Sequence, residues 1–446
     1  MQRRTRQLIW IFIYFVLVLA PLLILLLAPR PEGRTFWRDL TSALGFVGLS
    51  LMGIQFIPTA RLPLLGDVFP ADTLYIFHHR LSIAAFVMTL AHPLVLFIQN
   101  PYTLLLLNVF TAPWRARAAV AAVVLLLALV VTSVRRVALG LSYETWRLLH
   151  DVFSVAIIGF ALYHILNINY YTSVPVQRGT IIGLGALWGA MIVYIRVVKP
   201  WTLLRRPYEV VDVIEERGKT WTLVIEPVGH EGLTFAAGQV AWLSVGHSPF
   251  RIEEHPFSFA SSAERREQLE FAIKELGDFT STIGDTPLGT RVFVDGPYGT
   301  FDLHGEAEAG LILIAGGIGS APIMSMLRTL ADRGDDRRIQ FFYGNPTWEE
   351  IIFREELQTL EEQLNLEVIH VLERPGDDWE GESGFIDQDV LSHMLCDEFR
   401  MCTFFVCGPI PMIEAVQRAL EEMAVSRGQL RSQVRERMHT ELYKMA

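Results

Sequence analysis

Cysteine is nearly missing from this chain. Its 446 residues hold three thiols, Cys396, Cys402 and Cys407, all in the C-terminal part. Their spacing fits no zinc or iron–sulfur pattern, which excludes those centres. Acidic residues are scarce up to Pro207, where 6 Asp+Glu face 18 Lys+Arg, a net of +12. The remainder has 42 against 20, a net of −22, and the two halves sum to the formal charge of −10. No basic patch is present, which excludes a nucleic-acid partner. Without an internal repeat or low-complexity tract, a repeat architecture is excluded too.

Apolar residues fill the space. The chain is 51% hydrophobic, with a mean hydropathy of +0.33, and the apolarity is concentrated in the first half. Runs nearly free of charge lie at Leu8–Ala28, Leu40–Thr59, Leu74–Phe97, Ala118–Val134, Val152–Thr172 and Thr180–Ile195. The shortest sit at the lower limit for crossing about 30 Å of hydrocarbon and the others exceed it. The reading is six transmembrane helices joined to a water-soluble module at Pro200–Pro207. The first run is too long for a removable signal peptide and lacks a small-residue cleavage site.

Arginine placement gives an orientation. Arg3, Arg4 and Arg6 precede the first helix, Arg135, Arg136 and Arg147 bracket the loop before the fifth, and Arg196, Lys199, Arg205 and Arg206 follow the sixth. By the positive-inside rule both termini and the soluble module are expected in the cytoplasm of an integral membrane protein. Arg30, Arg34, Arg38, Arg115 and Arg117 then face outward, against the rule. A cytoplasmic module argues against disulfides.

Four histidines carry the sharpest signal in the membrane half. His78 and His92 are fourteen residues apart, as are His150 and His164. That spacing returns the second imidazole to within about 40° of the first and separates the two by about 21 Å along a helix. Two such helices side by side would clamp two stacked haems through axial imidazoles. A lone membrane histidine is as readily a helix–helix hydrogen-bonding residue or a proton relay, but two pairs at one spacing favour the ligand reading. His79 is the alternative to His78; from it, the second ring would be rotated by about 140°. The expected pairing is an inner haem on His78 and His150 and an outer haem on His92 and His164.

In the soluble half, short strands rich in β-branched and aromatic residues run at Glu209–Ile214, Trp221–Glu226, Val240–Val245, Leu269–Ile273 and Arg291–Val294. Such spacing predicts a small antiparallel β-barrel. Strands Leu311–Ala315, Ile339–Tyr343, Glu367–Val371 and Thr403–Cys407 then alternate with helices, predicting a doubly wound α/β sheet. Leu311–Ile314 runs into Ala315-Gly316-Gly317-Ile318-Gly319-Ser320-Ala321-Pro322 and a helix at Ile323–Leu330. Glycines there permit close approach of a pyrophosphate to a helix N-terminus; alone, the loop is equally a tight turn. A second turn, Gly277-Asp278-Phe279-Thr280-Ser281-Thr282, either serves another pyrophosphate or caps its own short helix, and capping is the stronger reading of that motif alone.

Taken together, these residues resemble the ferric reductase / NADPH oxidase superfamily. Phe77-His78-His79-Arg80-Leu81-Ser82 with Leu90-Ala91-His92-Pro93 is similar to that family's third helix, and Trp146-Arg147-Leu148-Leu149-His150 with Tyr163-His164 to its fifth. His255-Pro256-Phe257-Ser258 resembles its flavin motif, which implies Ser258 at the reactive edge of the isoalloxazine and the His255 region along the FAD phosphates. Gly277, Thr280 and Ser281 match the second flavin-phosphate motif, and the resemblance extends flavin binding to Lys274. Asp295-Gly296-Pro297-Tyr298-Gly299 matches the turn leaving the flavin domain. Gly316, Gly317, Gly319 and Pro322 match the nicotinamide-nucleotide loop, and Cys407-Gly408-Pro409 with Met412 the turn that places a thiol near the nicotinamide. His439-Thr440-Glu441-Leu442-Tyr443 resembles the terminal segment that covers the flavin, implying roles for Glu441 and Tyr443.

The resemblance implies three domains: a di-haem transmembrane bundle over 1–204, an FAD-binding barrel over 205–303 and an NAD(P)H-binding domain over 304–446, the last two forming a ferredoxin-reductase-like module. It implies cofactors FAD, two b-type haems and NADH or NADPH, with lipid as the surrounding partner and no obligatory protein partner. Electrons would pass from NAD(P)H through FAD to the inner and outer haems, and then to an acceptor outside. The sequence has no EF-hand loop. Short outer loops with few carboxylates, Glu32 and Asp39 the nearest, tilt the acceptor toward O2, giving superoxide; a ferric chelate is the alternative. A haem-free transporter with a regulatory nucleotide domain is the reading from another class. Arg80 and Arg147, next to the proposed inner ligands, are expected near haem propionates, or else at lipid phosphates. After the second sheet strand come Glu349 and Glu350, with Arg354 in the next helix. The glutamates either complement the dipole of that helix from its first turn, the stronger reading, or oppose a 2′-phosphate, and together this predicts a modest NADH preference or dual use.

Overall fold

The computed structural model describes residues 3–27, 35–66, 68–69, 71–303, 310–396 and 401–442. The chain divides into two compact units, residues 1–201 and 202–446.

Six long helices form the first unit: α1 (Arg3–Leu27), α2 (Phe36–Ile54), α3 (Ala71–Gln99), α4 (Trp114–Val134), α5 (Tyr143–Ile168) and α6 (Pro175–Val193). All six are long and apolar enough to cross a membrane. α5 starts nine residues before its apolar run because Ser142 caps it, its hydroxyl accepting from Thr145 N–H, so the charged turn from Glu144 to Asp151 is helical. It stops early because Asn169 turns left-handed at φ +53°. α6 loosens into a π-turn at Tyr194–Val198 and then continues as Lys199–Leu204.

α2 is the central helix, half buried where the other spans are mostly lipid-facing. Glycine makes this approach possible. A Cβ at Gly53 would lie 2.2 Å from the Trp188 ring of α6, and one at Gly48 would lie 2.6 Å from Thr89 Oγ1 of α3. At Gly45 it would stand 3.1 Å from His92 Nδ1. Small residues at such seams let helix backbones approach where no hydrophobic effect drives association.

The second unit holds two six-stranded sheets. The first contains β1 (Tyr208–Glu216), β2 (Thr220–Pro227), β3 (Val240–Val245), β4 (His255–Ser258), β5 (Leu269–Lys274) and β6 (Arg291–Tyr298), in the order β4-β3-β6-β1-β2-β5 and antiparallel throughout. It curls into a barrel: just past β4, Ala260 N–H donates to Glu270 O of β5 at 2.8 Å. β4 carries Pro256 and lies at the end of the sheet order, where a missing donor is tolerated. The second sheet is parallel, β10-β9-β8-β7-β11-β12, built from β7 (Leu311–Gly316), β8 (Ile339–Asn345), β9 (Leu366–Leu372), β10 (Glu382–Ser383), β11 (Thr403–Gly408) and β12 (Met438–Leu442). Helices α7 (Ser320–Arg333), α8 (Arg354–Gln363), α9 (Gln388–Met394), α10 (Ile410–Ser426) and α11 (Arg431–Arg437) complete the wound unit. β7 and β11 are buried along their whole apolar stretches, as strands covered on both faces must be.

Gly53→Ala is expected to destabilise the bundle by about 1–3 kcal/mol through overpacking on Trp188. A lower thermal midpoint in detergent, partly recovered by adding Trp188→Leu, would register this; an unchanged midpoint would refute the close-packed seam.

Candidate functional site

In the membrane unit the four histidines meet in pairs across α3 and α5. The ring centroids of His78 and His150 are 6.3 Å apart, and those of His92 and His164 are 6.5 Å apart. An iron between two imidazoles needs about 2 Å to each nitrogen and about 1.1 Å more to each ring centre, so about 6.2 Å in all. Both pairs stand at a separation that would admit one iron between them. Two nitrogens cannot complete a metal's coordination, and among the described residues no group of three or more His, Cys, Asp or Glu gathers to do so. A porphyrin is one group that would supply the remaining positions.

Backbone carbonyls fix two of the rings. His92 Nδ1 is 2.6 Å from Thr41 O on α2, and His164 Nδ1 is 2.8 Å from Arg115 O on α4. A carbonyl can only accept, so each Nδ1 carries the proton and Nε2 is left with a free lone pair. His150 Nδ1 lies 3.4 Å from Ser133 Oγ, which also accepts from Trp146 Nε1 at 3.2 Å. His79 is exposed whereas His78 is half-buried. Beside His150, Asp151 pairs with Arg196 in the π-turn. Arg80 is exposed and Arg147 is half-buried.

In the soluble unit the topology locates the second constellation. Strand order reverses between β7 and β11, and ligands of open α/β sheets bind beyond the carboxyl ends at such a switch point. Gly316–Gly319 leaves β7 there and Cys407-Gly408-Pro409 leaves β11. The two turns touch: a Cβ on Gly319 would sit 2.3 Å from Cys407 O, and one on Gly316 2.8 Å from Met412 Sδ. Gly317 has φ +53°, and its carbonyl accepts from the buried Tyr343 hydroxyl at 3.2 Å. Pro322 is buried in the first turn of α7. Cys407 is fully buried and pairs in register with Glu441 of β12. Burial, then Glu441, pushes its thiol pKa well up, so it is neutral at physiological pH. Tyr443 lies outside the described residues.

The two flavin-type motifs also meet. His255 stacks on Phe279 at 4.1 Å and 10°, and Phe257 lies 6.2 Å from the same ring. Ser258 is buried opposite Val240 of β3. The hydroxyls of the second motif are engaged locally: Thr280 Oγ1 accepts from Leu276 and Gly277 N–H at 2.8 and 2.9 Å, and Ser281 Oγ donates to Asp278 O at 2.9 Å. These bonds close the turn on itself, and the short helix Thr280–Asp285 has no side-chain cap, so the capping expected of the motif alone is not what the hydroxyls do. Lys274 Nζ stands 3.8 Å from Glu350, across to the nucleotide sheet.

α7 ties the motifs together through residues the sequence reading missed. Ser325 Oγ donates to Ser261 O at 2.7 Å, Thr329 Oγ1 accepts from Ala263 N–H at 2.9 Å, and Arg328 donates to Ala260 O at 2.8 Å. Arg328 also spans Glu270 and Glu356 at 2.7 and 2.6 Å. The helix that begins at the glycine loop thus clamps the segment just beyond β4. An arginine amid the apolar run Met324–Leu330 was the available signal.

Three family profiles match the chain in this same order. One described as "Ferric reductase like transmembrane component" covers residues 44–161, "FAD-binding domain" 222–302 and "Oxidoreductase NAD-binding domain" 313–418. The chain belongs to the ferric reductase / NADPH oxidase superfamily. With six helices long and apolar enough to span and a transmembrane profile over 44–161, it is an integral membrane protein. The anthranilate 1,2-dioxygenase electron transfer component of Acinetobacter baylyi is 30% identical over 199 residues, covering 44% of this chain and 56% of that protein. Sulfhydrogenase 2 subunit gamma of Pyrococcus furiosus is 32% identical over 221 residues, covering 47% and 74%. The chain therefore spans little more than half the length of the first of these. A flavohemoglobin structure from Malassezia yamatoensis aligns at TM-score 0.48 and 16% identity over 92% of this chain and 99% of that one.

At the far end of the nucleotide sheet, His370 of β9 faces Tyr343 of β8 and lies 5.3 Å from the Trp348 ring. Burial, with Arg354 nearby, pushes its pKa down to about 4. The unfolded chain binds a proton near pH 6.5 and the folded one does not. Stability is therefore complete above pH 6.5 and falls by about 3 kcal/mol as pH drops to 4. Chemical denaturation of wild type and His370→Phe across that window checks this; an equal loss in both would refute it. The Cys407 thiol acts at the other end of the scale. Its raised pKa makes stability decline above about pH 8.5, where the unfolded thiol ionises first. Cys407→Ala should remove that part of the alkaline loss.

Proposed function

We propose that this protein is a transmembrane oxidoreductase that moves electrons from cytosolic NAD(P)H to an acceptor on the opposite side, with O2 as the acceptor and superoxide as the product. The observation that carries the reading is the facing of two imidazole pairs, each at the separation of an axially ligated iron, in a chain whose other half matches FAD- and NAD-binding domains. FAD and two b-type haems, when bound, supply the conversion of a hydride into single electrons and their relay along the bundle.

The chain's own residues do the rest. His78 with His150, and His92 with His164, would hold the two irons; the Thr41 and Arg115 carbonyls fix the rings of the second pair and leave their Nε2 atoms free to serve as ligands. Gly316, Gly317, Gly319 and Pro322 offer a close backbone and helix N–H groups to the nucleotide pyrophosphate. The neutral Cys407 thiol and the Gly408-Pro409 turn would line the nicotinamide position, beside Glu441 of the adjoining strand, and Tyr443, outside the described residues, would cover the flavin. Ser258 would hydrogen-bond the reactive edge of the flavin, with His255, Pro256, Phe257 and the 277–281 turn along its remainder, and Lys274 behind.

O2 is favoured over a ferric chelate because outer carboxylates are few. Asp39 accepts a hydrogen bond from Tyr171 at 3.1 Å, and Glu32 lies outside the described residues. For the nucleotide, Arg354 is committed elsewhere. It lies 4.7 Å over Trp348, donates to Trp348 O at 3.1 Å and meets Glu355 at 3.3 Å. That supports a modest NADH preference or dual use, and one relative is an NADH-cytochrome b5 reductase from Candida glabrata.

His92→Ala or His164→Ala should lower haem content by about half while NADH-driven dye reduction by the soluble unit persists. His79→Ala should keep both haems. Haem-chromogen assays and spectra decide it, and purified protein without any haem would leave the transporter reading standing. Acceptor identity is read by dye reduction with and without superoxide dismutase beside ferric-chelate reduction. Insensitivity to dismutase with rapid chelate reduction would make the chelate the acceptor. Comparison of kcat/KM for NADH and NADPH tests the nucleotide reading, which a large NADPH advantage would overturn.

A further inference from the structure

Between α3 and α4 the chain contains no charged residue from Asn100 to Trp114. Residues Pro101–Leu107 form a 3-10 helix, and the side chains that leave the segment are apolar or aromatic. Phe110 is 88% exposed, Tyr102 82%, Trp114 71% and Leu105 70%. Contiguous apolar exposure on this scale is foreign to a surface in water.

The backbone of the same segment is satisfied from within. Asn100 Oδ1 accepts from Tyr102 N–H at 3.3 Å, and Asn108 Oδ1 from Phe110 N–H at 3.1 Å. Asn108 O accepts from Ala112 N–H at 2.9 Å. Arg117 donates to the carbonyls of Ala112 and Phe110 at 2.7 and 2.9 Å while lying 4.6 Å over the Trp114 ring. Apolar side chains turned outward and backbone polar groups paired inward are what a segment in contact with lipid requires. Tyrosine and tryptophan beside an arginine have the chemistry of the interfacial layer. The surface is continuous with lipid-facing positions of the adjoining spans, Ile98 at the end of α3 and Val124 on α4.

We propose that residues 101–114 are an interfacial membrane anchor. The segment lies in the surface layer of the bilayer at the His92/His164 end, with Tyr102, Leu105, Phe110 and Trp114 against phospholipid and not in water. Arg115, the next residue, is the one whose carbonyl holds His164, so lipid contact fixes the depth of that ring. The proposal holds whatever the final acceptor is.

The test uses the full chain in phosphatidylcholine–phosphatidylglycerol nanodiscs. A spin label is placed at Leu105→Cys or at Phe110→Cys, with Val124→Cys as the lipid reference and Asp336→Cys as the aqueous one. The native thiols are buried and an unmodified control measures their labelling. Power saturation should give an oxygen-over-nickel collision ratio at both loop sites at least about five-fold above that at Asp336→Cys and approaching that at Val124→Cys. A loop ratio equal to the aqueous reference overturns the anchor. Two sites keep the answer available if one variant fails to assemble, and the readout depends on neither haem content nor electron transfer.

Discussion

The membrane unit depends on one constraint: α3 and α5 must hold the same axial register over fourteen residues, so that two imidazole pairs close at the same separation. Neither helix sets that register alone. α2 supports α3 by bringing Thr41 O to His92 and by leaving bare glycine at Gly45 and Gly48, where a side chain would push α3 away. α4 supports α5 through Arg115 O at one level and Ser133 at the other. The His92 and His164 rings are therefore positioned by backbone, whose geometry varies far less than that of a side chain. Gly53 against Trp188 carries the same close packing over to α6.

The soluble unit has an equivalent in α7. Its N-terminal turn faces the switch point, and its body binds the segment just past β4 through Ser325, Arg328 and Thr329. A shift of that helix would move both turns together, so the relative placement of the nucleotide loop and the flavin motif is a property of one rigid element. Half-buried Arg328 is tolerable because two carboxylates and a carbonyl satisfy its donors.

The parts legible in the sequence were those written as local patterns. Apolar runs marked six spans, a fourteen-residue spacing marked the histidine pairs, and glycine after an apolar strand marked the nucleotide loop. The ends of α5 were misplaced because hydropathy cannot see a cap, and Ser142 with Asn169 decides where that helix runs. Phe279 beneath His255, the carbonyls behind His92 and His164, and the clamp on α7 had no linear signature, since each joins residues distant in the chain. β12 was missed as a strand for a related reason. Met438–Leu442 has no alternation of its own and becomes a strand because β11 offers it an edge.

That borrowed edge has a consequence for how the protein is made. β11 occupies the middle of its sheet only after β12 has been added, and about thirty residues separate the two. While a ribosome is still delivering α10 and α11, the apolar strand bearing Cys407 presents an open row of N–H and C=O groups, a template for another nascent chain. The segment that follows α11 therefore serves as a seal. Until it arrives, each growing molecule is at its most vulnerable to a neighbour's strands, however sound the rest of its fold already is.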